Sequence, residues 1–441
     1  MLIGHSRKDH NGVFIYQSLK EHSCNVAGLC KRSCEYIGAS ITSYLMGMLH
    51  DMGKADEEQV QPRLRGESQK KVNHASAGAR YIWEKYGKSS DRYVRLTAKL
   101  VALSIVCHHS GRCDIYSLDG KEQWLERVMS KQAGLYYDKV KLNFFSECVE
   151  ECEIEVLMKD ACKEIQLLWE KISKIAIYRN KGGEFAKSRV AGAFMMGLLH
   201  RTLFGALVDA DWTDTACFMD KKPLPIVISE EKKKVTWNKL SKKMENFLLG
   251  LQPKYSIDYL RNEISEQCLQ AVKDKPGIYR LFVPTGGGKT YSGLRFAVHT
   301  AQVQNADRIF YFAPYKSILG QNAEDFRKAL GNKKYVLEHH SDAIIEREGE
   351  GSENLIIERE RWQEVPVIAT TMVQFLNTLF ASPRQNVRRL PALSHSILIF
   401  DEIQSLPLED TYLFSLAINF LAGILKCTIV LCTATQPALE K

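Results

Sequence analysis

The chain has 441 residues, of which 45% are hydrophobic and 25% are charged, and its formal net charge is +8. This length exceeds what one hydrophobic core usually supports, so two or three domains are expected. The composition is that of an ordinary globular protein, and the modest basic excess is compatible with a polyanionic partner. We find no signal-peptide pattern and no long apolar run, and therefore expect a cytoplasmic protein with no membrane partner.

Residues 1–220 are predicted to form an all-α domain. Apolar residues recur at helical spacing in Leu96–Val106 and Ala191–Leu207, and alternating strand patterns are almost absent. Residues 221–255 are predicted to be a charged linker, including Glu230–Lys234, with a helix from Thr236 to Leu251.

Residues 256–441 are predicted to form an α/β domain. From Gly277 onwards short apolar runs alternate with helical stretches, which is typical of a doubly wound parallel sheet. The runs are Tyr279–Val283, Arg308–Phe312, Val365–Ala369, Ile397–Phe400 and Thr428–Cys432. The chain is therefore expected to be multidomain, with an all-α domain followed by a parallel-sheet domain.

The most informative pattern of the first half is His50-Asp51-Met52-Gly53-Lys54, at the end of a predicted helix. Imidazole nitrogens and carboxylate oxygens both bind divalent transition metals, and the two oxygens of Asp51 allow it to bridge two ions. An HD pair alone is a weak signal, but further candidates accompany it in the helical half: His22, His74, His108, His109 and Asp211.

Other polar residues of this half have simpler interpretations. His5 and His10 lie near the terminus and are expected to be exposed. His200 lies on an apolar helix and is expected to pack there. Asp209 is a rival of Asp211, because both stand late in the same predicted helix.

The second half carries an ATP-binding pattern. A strand ending at Val283 leads into P-T-G-G-G-K-T, whose glycines let backbone N–H groups approach phosphate oxygens. Lys289 would contact the β and γ phosphates, and Thr290 would bind magnesium. Asp401 would hold the same magnesium, and Glu402 would position or deprotonate the attacking water. The candidate ATP-binding residues are Thr285, Gly286, Gly287, Gly288, Lys289, Thr290, Asp401 and Glu402.

Three further motifs follow strands in the order found in superfamily 2 helicases. Ala313–Ile318 with Gln321 and Asn322 corresponds to motif Ia, and Ala369–Phe375 corresponds to motif Ib. Both should place hydroxyl and amide groups against the phosphates of a tracked strand. Cys432–Pro437 corresponds to motif III.

The order H…HD…H…HH…D, followed by P-T-G-G-G-K-T, A-P-Y-K-S-I-x-x-Q-N, D-E-I-Q and T-A-T-Q-P, resembles the HD nuclease–DExH helicase family of type I CRISPR systems. The resemblance covers nearly the whole chain, from about His22 to Pro437, and implies an HD domain followed by a RecA-like lobe. By this resemblance one metal is held by His22, His50, Asp51 and Asp211, and a second by Asp51, His74, His108 and His109. Lys54 would lie near the scissile phosphate, and His50, Asp51, Lys54 and Glu402 form the expected catalytic set.

The resemblance also implies cofactors and partners. Histidine-rich ligation favours manganese, iron, cobalt or nickel over magnesium at the two HD-domain positions, while ATP binds with magnesium in the second half. The implied activity is cleavage of single-stranded DNA, coupled to ATP-dependent translocation and unwinding during CRISPR interference in antiviral defence. The implied partner is a type I CRISPR surveillance complex with its guide RNA.

Two alternatives remain open from the sequence. One is an HD nucleotide phosphohydrolase fused to a regulatory ATPase, and the other is a catalytically inactive nucleic-acid-binding module. The sequence ends at Lys441, just past T-A-T-Q-P. We therefore expect the second RecA-like lobe to be absent from this chain.

Overall fold

The computed structural model describes two compact units. The first comprises residues 1–170, 199–225 and 382–391, and the second comprises residues 171–198, 226–381 and 392–441. The description leaves out residues 70, 71, 73, 110–114, 116–118, 130–135, 180–184, 227, 341–361, 364 and 435–441, and the side chains of residues 178, 179 and 185–187.

The first unit is helical apart from an N-terminal hairpin. Strands β1 (Ile3–Lys8) and β2 (Phe14–Ser18) pair antiparallel. The helices are α1 (Leu19–Ser33), α2 (Ser40–Leu49), α3 (Val60–Leu64), α4 (Ser76–Tyr86), α5 (Arg92–Cys107), α6 (Gln123–Val128), α7 (Tyr137–Glu147), α8 (Glu151–Ile175) and α9 (Arg189–Asp220), of which α8 and α9 also supply residues to the second unit. The hairpin corrects the expectation that strands are almost absent here.

Helices α1 and α2 approach each other closely. A Cβ added to Gly47 would lie 2.5 Å from the Cα of Ala27 and 2.7 Å from its backbone nitrogen. Only glycine leaves room for this contact, because real Cβ atoms do not come this close to backbone atoms. The close packing holds His22, on α1, beside His50, which directly follows α2.

Helix α9 forms part of the interior. Among the described residues it is long and apolar enough to cross a membrane by length and composition alone. However, 78% of its most apolar window is buried inside the protein, as expected of a core helix. The expectation of no long apolar run is therefore wrong for this helix, of which Ala191–Leu207 was predicted as helical.

The second unit is built on a six-stranded sheet in the order β5-β10-β9-β6-β8-β7, with all neighbouring strands parallel. Its strands are β5 (Ile278–Phe282), β6 (Ile309–Ala313), β7 (Val336–His339), β8 (Val367–Thr371), β9 (Ile397–Phe400) and β10 (Thr428–Thr433), and a short pair, β3 (Ile177–Arg179) and β4 (Phe185–Lys187), lies apart from it. The longer helices around the sheet are α10 (Glu230–Leu249), α11 (Ser256–Gln270), α12 (Lys289–Gln304), α13 (Lys316–Leu330), α14 (Met372–Phe380) and α15 (Thr411–Gly423). The predicted fold class, a helical domain followed by a parallel-sheet domain, is confirmed.

Within the range predicted as a linker with a helix, Glu230–Leu249 form helix α10, which packs into the core of the second unit. Helix α10 begins at Glu230, six residues before the predicted start, because Ser229 caps it by accepting a hydrogen bond from the Lys232 nitrogen at 3.2 Å. The opposite face of the helix is apolar, and Trp237 is buried and donates to the Ala306 carbonyl at 2.6 Å. The charged run Glu230–Lys234 is therefore the solvated beginning of an amphipathic helix.

Because α1 and α2 approach each other closely at Gly47, alanine substitutions at Gly47 and Gly28 should differ in their effect on stability. Replacing Gly47 with Ala should destabilise the protein by about 1–3 kcal/mol, because the new methyl group overpacks against backbone. Gly28→Ala on α1 is the matched control, since a Cβ there meets nothing within 4 Å. Urea unfolding should show a loss only for Gly47→Ala, and equal stability of the two variants would contradict the packing described.

Candidate metal centre and ATP site

The centre of the first unit is a fully buried carboxylate. Asp51 follows α2 at the start of a 3-10 turn, Met52–Ala55, and has no solvent exposure. Its Oδ2 lies 2.6 Å from the Nζ of Lys54, which is also buried. A charge removed from water in this way is costly unless other charges or metals compensate for it.

The two oxygens of Asp51 face two different sets of histidines. Oδ2 lies 3.2 Å from the Nε2 of His22 and 3.3 Å from that of His50. Oδ1 lies within 3.8 Å of three other Nε2 atoms, those of His74 (3.6 Å), His108 (3.4 Å) and His109 (3.8 Å). The structure thus brings all the histidines singled out as metal ligands around one carboxylate.

The histidines are oriented from behind by hydrogen bonds to their Nδ1 atoms. The Nδ1 of His22 lies 2.6 Å from a carboxylate oxygen of Asp214. The Nδ1 atoms of His50 and His108 lie 2.7 and 2.6 Å from the Gly47 and Ile105 carbonyl oxygens. Because each Nδ1–H can donate outwards, the Nε2 lone pairs face Asp51, as in metal-binding histidines.

This donor set fits a divalent cation. Among the described residues, neither the Oδ1 of Asp51 nor the Nε2 of His108 has a hydrogen-bond partner, although both atoms are buried. Two buried acceptors that face each other at 3.4 Å require a positive charge, and imidazole with carboxylate is a donor set suited to transition metals. The residues could therefore hold metal on either side of Asp51.

Burial and the neighbouring carboxylates shift the pKa values of the clustered histidines in opposite directions. Burial alone would lower the pKa of His50, but Asp51 and Asp211 raise it to about 10. Burial lowers the pKa of His74 to about 4, against the attraction of Asp51. The same effect lowers the pKa of His109 to about 3, with a further contribution from His108.

Helix α9 distinguishes the two rival aspartates. The Oδ1 of Asp211 lies 3.5 Å from the Nε2 of His22 and 3.8 Å from that of His50. Asp209 accepts hydrogen bonds from Arg388 instead, at 2.9 and 3.0 Å. Positions two apart on a helix point about 200° apart, so the two carboxylates serve different neighbours.

The expectation that His5 is simply exposed is wrong. The β1–β2 hairpin folds back so that its Nε2 lies 3.4 Å from the Nε2 of His22 and 3.2 Å from the Nζ of Lys54. Burial and the neighbouring cation lower the pKa of His5 to about 2. The Asn11-Gly12 pair, a hairpin turn signal, could have revealed this fold-back. His10 is exposed and His200 is buried, as expected.

Asp214 was not singled out by sequence either. It is buried, and besides His22 it accepts hydrogen bonds from the side-chain amides of Gln17, at 2.9 Å, and Asn25, at 2.8 Å. Its carboxylate fixes the tautomer and the direction of the His22 ring. Its position three residues after Asp211 on the same helix is the available sequence signal.

The ATP-binding pattern lies at one edge of the sheet, where parallel strands end. Thr285–Gly288 form the loop between β5 and α12, and Lys289 and Thr290 begin α12. Gly286 and Gly288 have φ values of 82° and 84°, which other residues rarely adopt. Glycines at these positions let the loop backbone approach a phosphate closely, and Arg261 on α11 donates to the Gly286 carbonyl at 2.9 Å.

The acidic pair follows β9 directly. Glu402 is hydrogen bonded to Lys289 and to Gln404, and these contacts hold its pKa below the ordinary value although burial opposes them. Gln404 in turn accepts from the Thr433 hydroxyl at 2.7 Å, which connects the motif III strand to Glu402. Thr435–Pro437 of that motif lie outside the described residues.

Asp401 is held by a second chain of hydrogen bonds. The Tyr311 hydroxyl on β6 donates to its Oδ2 at 2.5 Å and accepts from the Asn322 amide at 2.5 Å. Burial raises the pKa of Asp401 above its ordinary value. Asn322 belongs to motif Ia, so the candidate magnesium ligand is tied to the motif expected to contact a nucleic-acid strand.

The orienting role of Asp214 is tested by Asp214→Asn. This change keeps the shape but reverses one hydrogen-bonding group, so metal affinity should fall about 10- to 100-fold. Asp160→Asn, on the exposed face of α8, is the matched control and should bind metal as the wild type does. Isothermal titration with Mn²⁺ measures both, and unchanged affinity of Asp214→Asn would contradict this role.

Both halves of the chain match known families. Residues 19–139 match the HD domain family, and residues 262–441 match the DEAD/DEAH box helicase family. The CRISPR-associated nuclease/helicase Cas3 of Haloferax volcanii is 28% identical over 231 residues, which cover 44% of this chain and 24% of that protein.

Solved structures share the fold. T. fusca Cas3 with ADP superposes with a TM-score of 0.53 at 16% identity, and the AMPPNP form with a TM-score of 0.51 at 15% identity. Each match covers 98% of this chain and 50% of the T. fusca chain. The chain thus spans about a quarter of the curated relative and half of the T. fusca protein. The chain thus carries an HD domain followed by a DEAD/DEAH box helicase domain, is similar in sequence to a Cas3 nuclease/helicase, and shares the fold of T. fusca Cas3.

Proposed function

We propose that the HD domain of this chain cuts single-stranded DNA with two divalent transition metals, and that the second unit binds ATP and a nucleic-acid strand as part of a motor in CRISPR interference. The observation that carries the proposal is the arrangement around Asp51. One buried carboxylate presents each of its oxygens to a separate set of histidine Nε2 atoms. A bridging carboxylate of this kind is what a two-metal phosphodiesterase needs.

The residues divide into two metal-holding sets. His22, His50 and Asp211 would hold one ion, His74, His108 and His109 the other, and Asp51 would hold both. Two such ions activate a water and neutralise charge on the phosphoryl oxygens. The nitrogen-rich donor set favours manganese, iron, cobalt or nickel over magnesium.

One position marks the side from which a substrate could reach this centre. His109 is the most exposed of the proposed ligands, with 41% of its side chain accessible, while Asp51 and His108 are fully buried. Lys54 would add a fixed positive charge next to the bridging carboxylate, suited to orienting a phosphate oxygen.

A groove in the second unit supports a nucleic-acid strand as the substrate. Its volume is about 350 Å³, and it is lined by Pro314, Tyr315, Lys316, Thr371, Val373 and Gln374. These residues follow the adjacent strands β6 and β8, so motifs Ia and Ib form one surface. Tyr315 is 61% exposed, as a base-stacking side chain would be.

This groove separates the proposal from its alternatives. A phosphohydrolase acting on free nucleotides has no use for a surface that follows a strand. A purely binding module has no need for two sets of metal ligands around one carboxylate. The surveillance complex with guide RNA is proposed as partner from the likeness to Cas3 proteins.

The nuclease proposal is tested by Asp51→Ala with Lys289→Ala as control. Asp51→Ala should abolish cutting of single-stranded DNA, because both metal sets lose their shared ligand. Lys289→Ala should cut normally without ATP, since the proposed ligands all lie in the first unit. Chelator should stop the wild type, and Mn²⁺, Co²⁺ or Ni²⁺ should restore it.

The assay should include free nucleotides as well as single-stranded DNA. Cutting of DNA by Asp51→Ala at the wild-type rate would refute the assignment. Hydrolysis of nucleotides without cutting of DNA would favour the phosphohydrolase alternative.

The strand-binding groove is tested by Tyr315→Ala. Loss of one base-stacking ring should weaken binding of an oligothymidine by about 1–3 kcal/mol, measured by fluorescence anisotropy. Tyr259→Ala removes a ring that is 65% exposed on α11, outside the groove, and should bind as the wild type does. Equal affinity of both variants and the wild type would place the strand elsewhere.

A further inference from the structure

A short segment of the helicase sequence belongs to the same compact unit as the metal centre. Ser382–Pro391 follows α14, the helix that begins with motif Ib, and precedes β9 and the Asp401–Glu402 pair. The residues on both sides of the segment in the chain belong to the second unit, but the segment itself clusters with residues 1–170 and 199–225. Its contacts with the first unit's residues therefore show how the helicase sequence could affect the metal centre.

Its most buried contact is an ion pair beside a proposed metal ligand. Arg388 is 1% exposed, and its Nε and Nη2 donate to the Oδ1 of Asp209 at 3.0 and 2.9 Å. The two groups satisfy each other's charge where water cannot. Asp209 is two residues before Asp211, so the pair anchors the turn of α9 that presents Asp211 to His22.

A second arginine of the segment reaches the other metal set. Arg384 Nη1 donates to the backbone carbonyl of His108 at 2.9 Å. This carbonyl lies just past the end of α5, where the last carbonyls have no partner within the helix. A guanidinium there both satisfies the oxygen and complements the negative end of the helix dipole. Arg384 thus caps the helix end that carries His108 and His109.

The two arginines share an aromatic neighbour. The Cζ atoms of Arg384 and Arg388 lie 5.2 and 4.9 Å from the centre of the Trp212 ring. Trp212 directly follows Asp211 on α9. The guanidinium groups therefore hold both the helix end with His108 and the turn with Asp211, through contacts that lysine would reproduce only in part because it lacks the planar fork.

The segment is seated closely because α9 has a glycine at the contact. A Cβ added to Gly205 would lie 2.4 Å from the carbonyl oxygen of Val387 and 3.2 Å from the Cδ of Pro391. Val387 is fully buried. This approach is what brings Arg388 within reach of Asp209, one turn further along α9.

We propose that Arg384 and Arg388 are positioning residues for the HD metal centre, which is completed only by this segment of the helicase sequence. Arg384 sets the backbone of the His108–His109 ligands, and Arg388 sets the helix turn of the Asp211 ligand. The inference rests on the metal centre of the proposed function and adds residues that touch neither metal nor substrate.

The test is Co²⁺ binding to the full chain, followed by its visible absorption. Arg384→Ala should weaken Co²⁺ binding about 10- to 100-fold and shift the absorption band, because the ligands lose their orientation. Arg384→Lys, which keeps the charge without the planar fork, should recover only part of the affinity. Excess metal should restore cutting by Arg384→Ala, so that the metal concentration at half-maximal activity rises while the maximal rate is kept.

The control is Gln385→Ala, which removes an exposed side chain from the same turn and should match the wild type. Arg388→Ala removes both hydrogen bonds that Arg388 donates to the buried Asp209, and if that variant does not fold, Arg384→Ala alone decides. Wild-type affinity and an unchanged band in folded Arg384→Ala would overturn the inference while leaving the proposed function intact. A wild-type chain that binds no Co²⁺ would overturn both.

Discussion

The first unit depends on keeping one carboxylate ionised without water around it. Asp51 is fully buried, and Lys54 and His50 hold the pKa of its carboxyl well below the ordinary value although burial opposes them. Helices α1, α2 and α9 each direct a polar group to this point, and the close contact at Gly47 brings the first two together. The helices that bury Asp51 therefore also supply the groups that compensate for its charge.

The second unit places its polar groups differently, in the loops that follow the carboxyl ends of apolar parallel strands. All neighbouring strands of its six-stranded sheet are parallel, so the phosphate-binding loop Thr285–Gly288, Asp401 and motifs Ia and Ib follow strands that end on the same side. Side-chain hydrogen bonds then connect them, from Asn322 through Tyr311 to Asp401. The polar groups of the first unit are thus arranged around a buried charge, and those of the second along the carboxyl ends of the parallel strands.

Sequence predicted the parts of both sites whose residues stand in recognisable order. The HD pair, the further histidines and the P-loop carry their chemistry in their residue types and spacing. His5 was missed because its role comes from a hairpin that folds it back, and Asp214 because an orienting carboxylate has no fixed spacing. Arg388 contacts Asp209 across 179 residues, a pairing that no local pattern encodes.

The central claim is that Asp51 bridges two metal ions. Titration of the metal-free chain with Mn²⁺, followed by electron paramagnetic resonance at low temperature, tests it most directly. Two bound ions per chain with an exchange-coupled signal, and loss of that coupling in Asp51→Asn, are the expected results. A single bound ion, or two uncoupled ions whose signal is the same in Asp51→Asn, would contradict a bridging carboxylate at this centre.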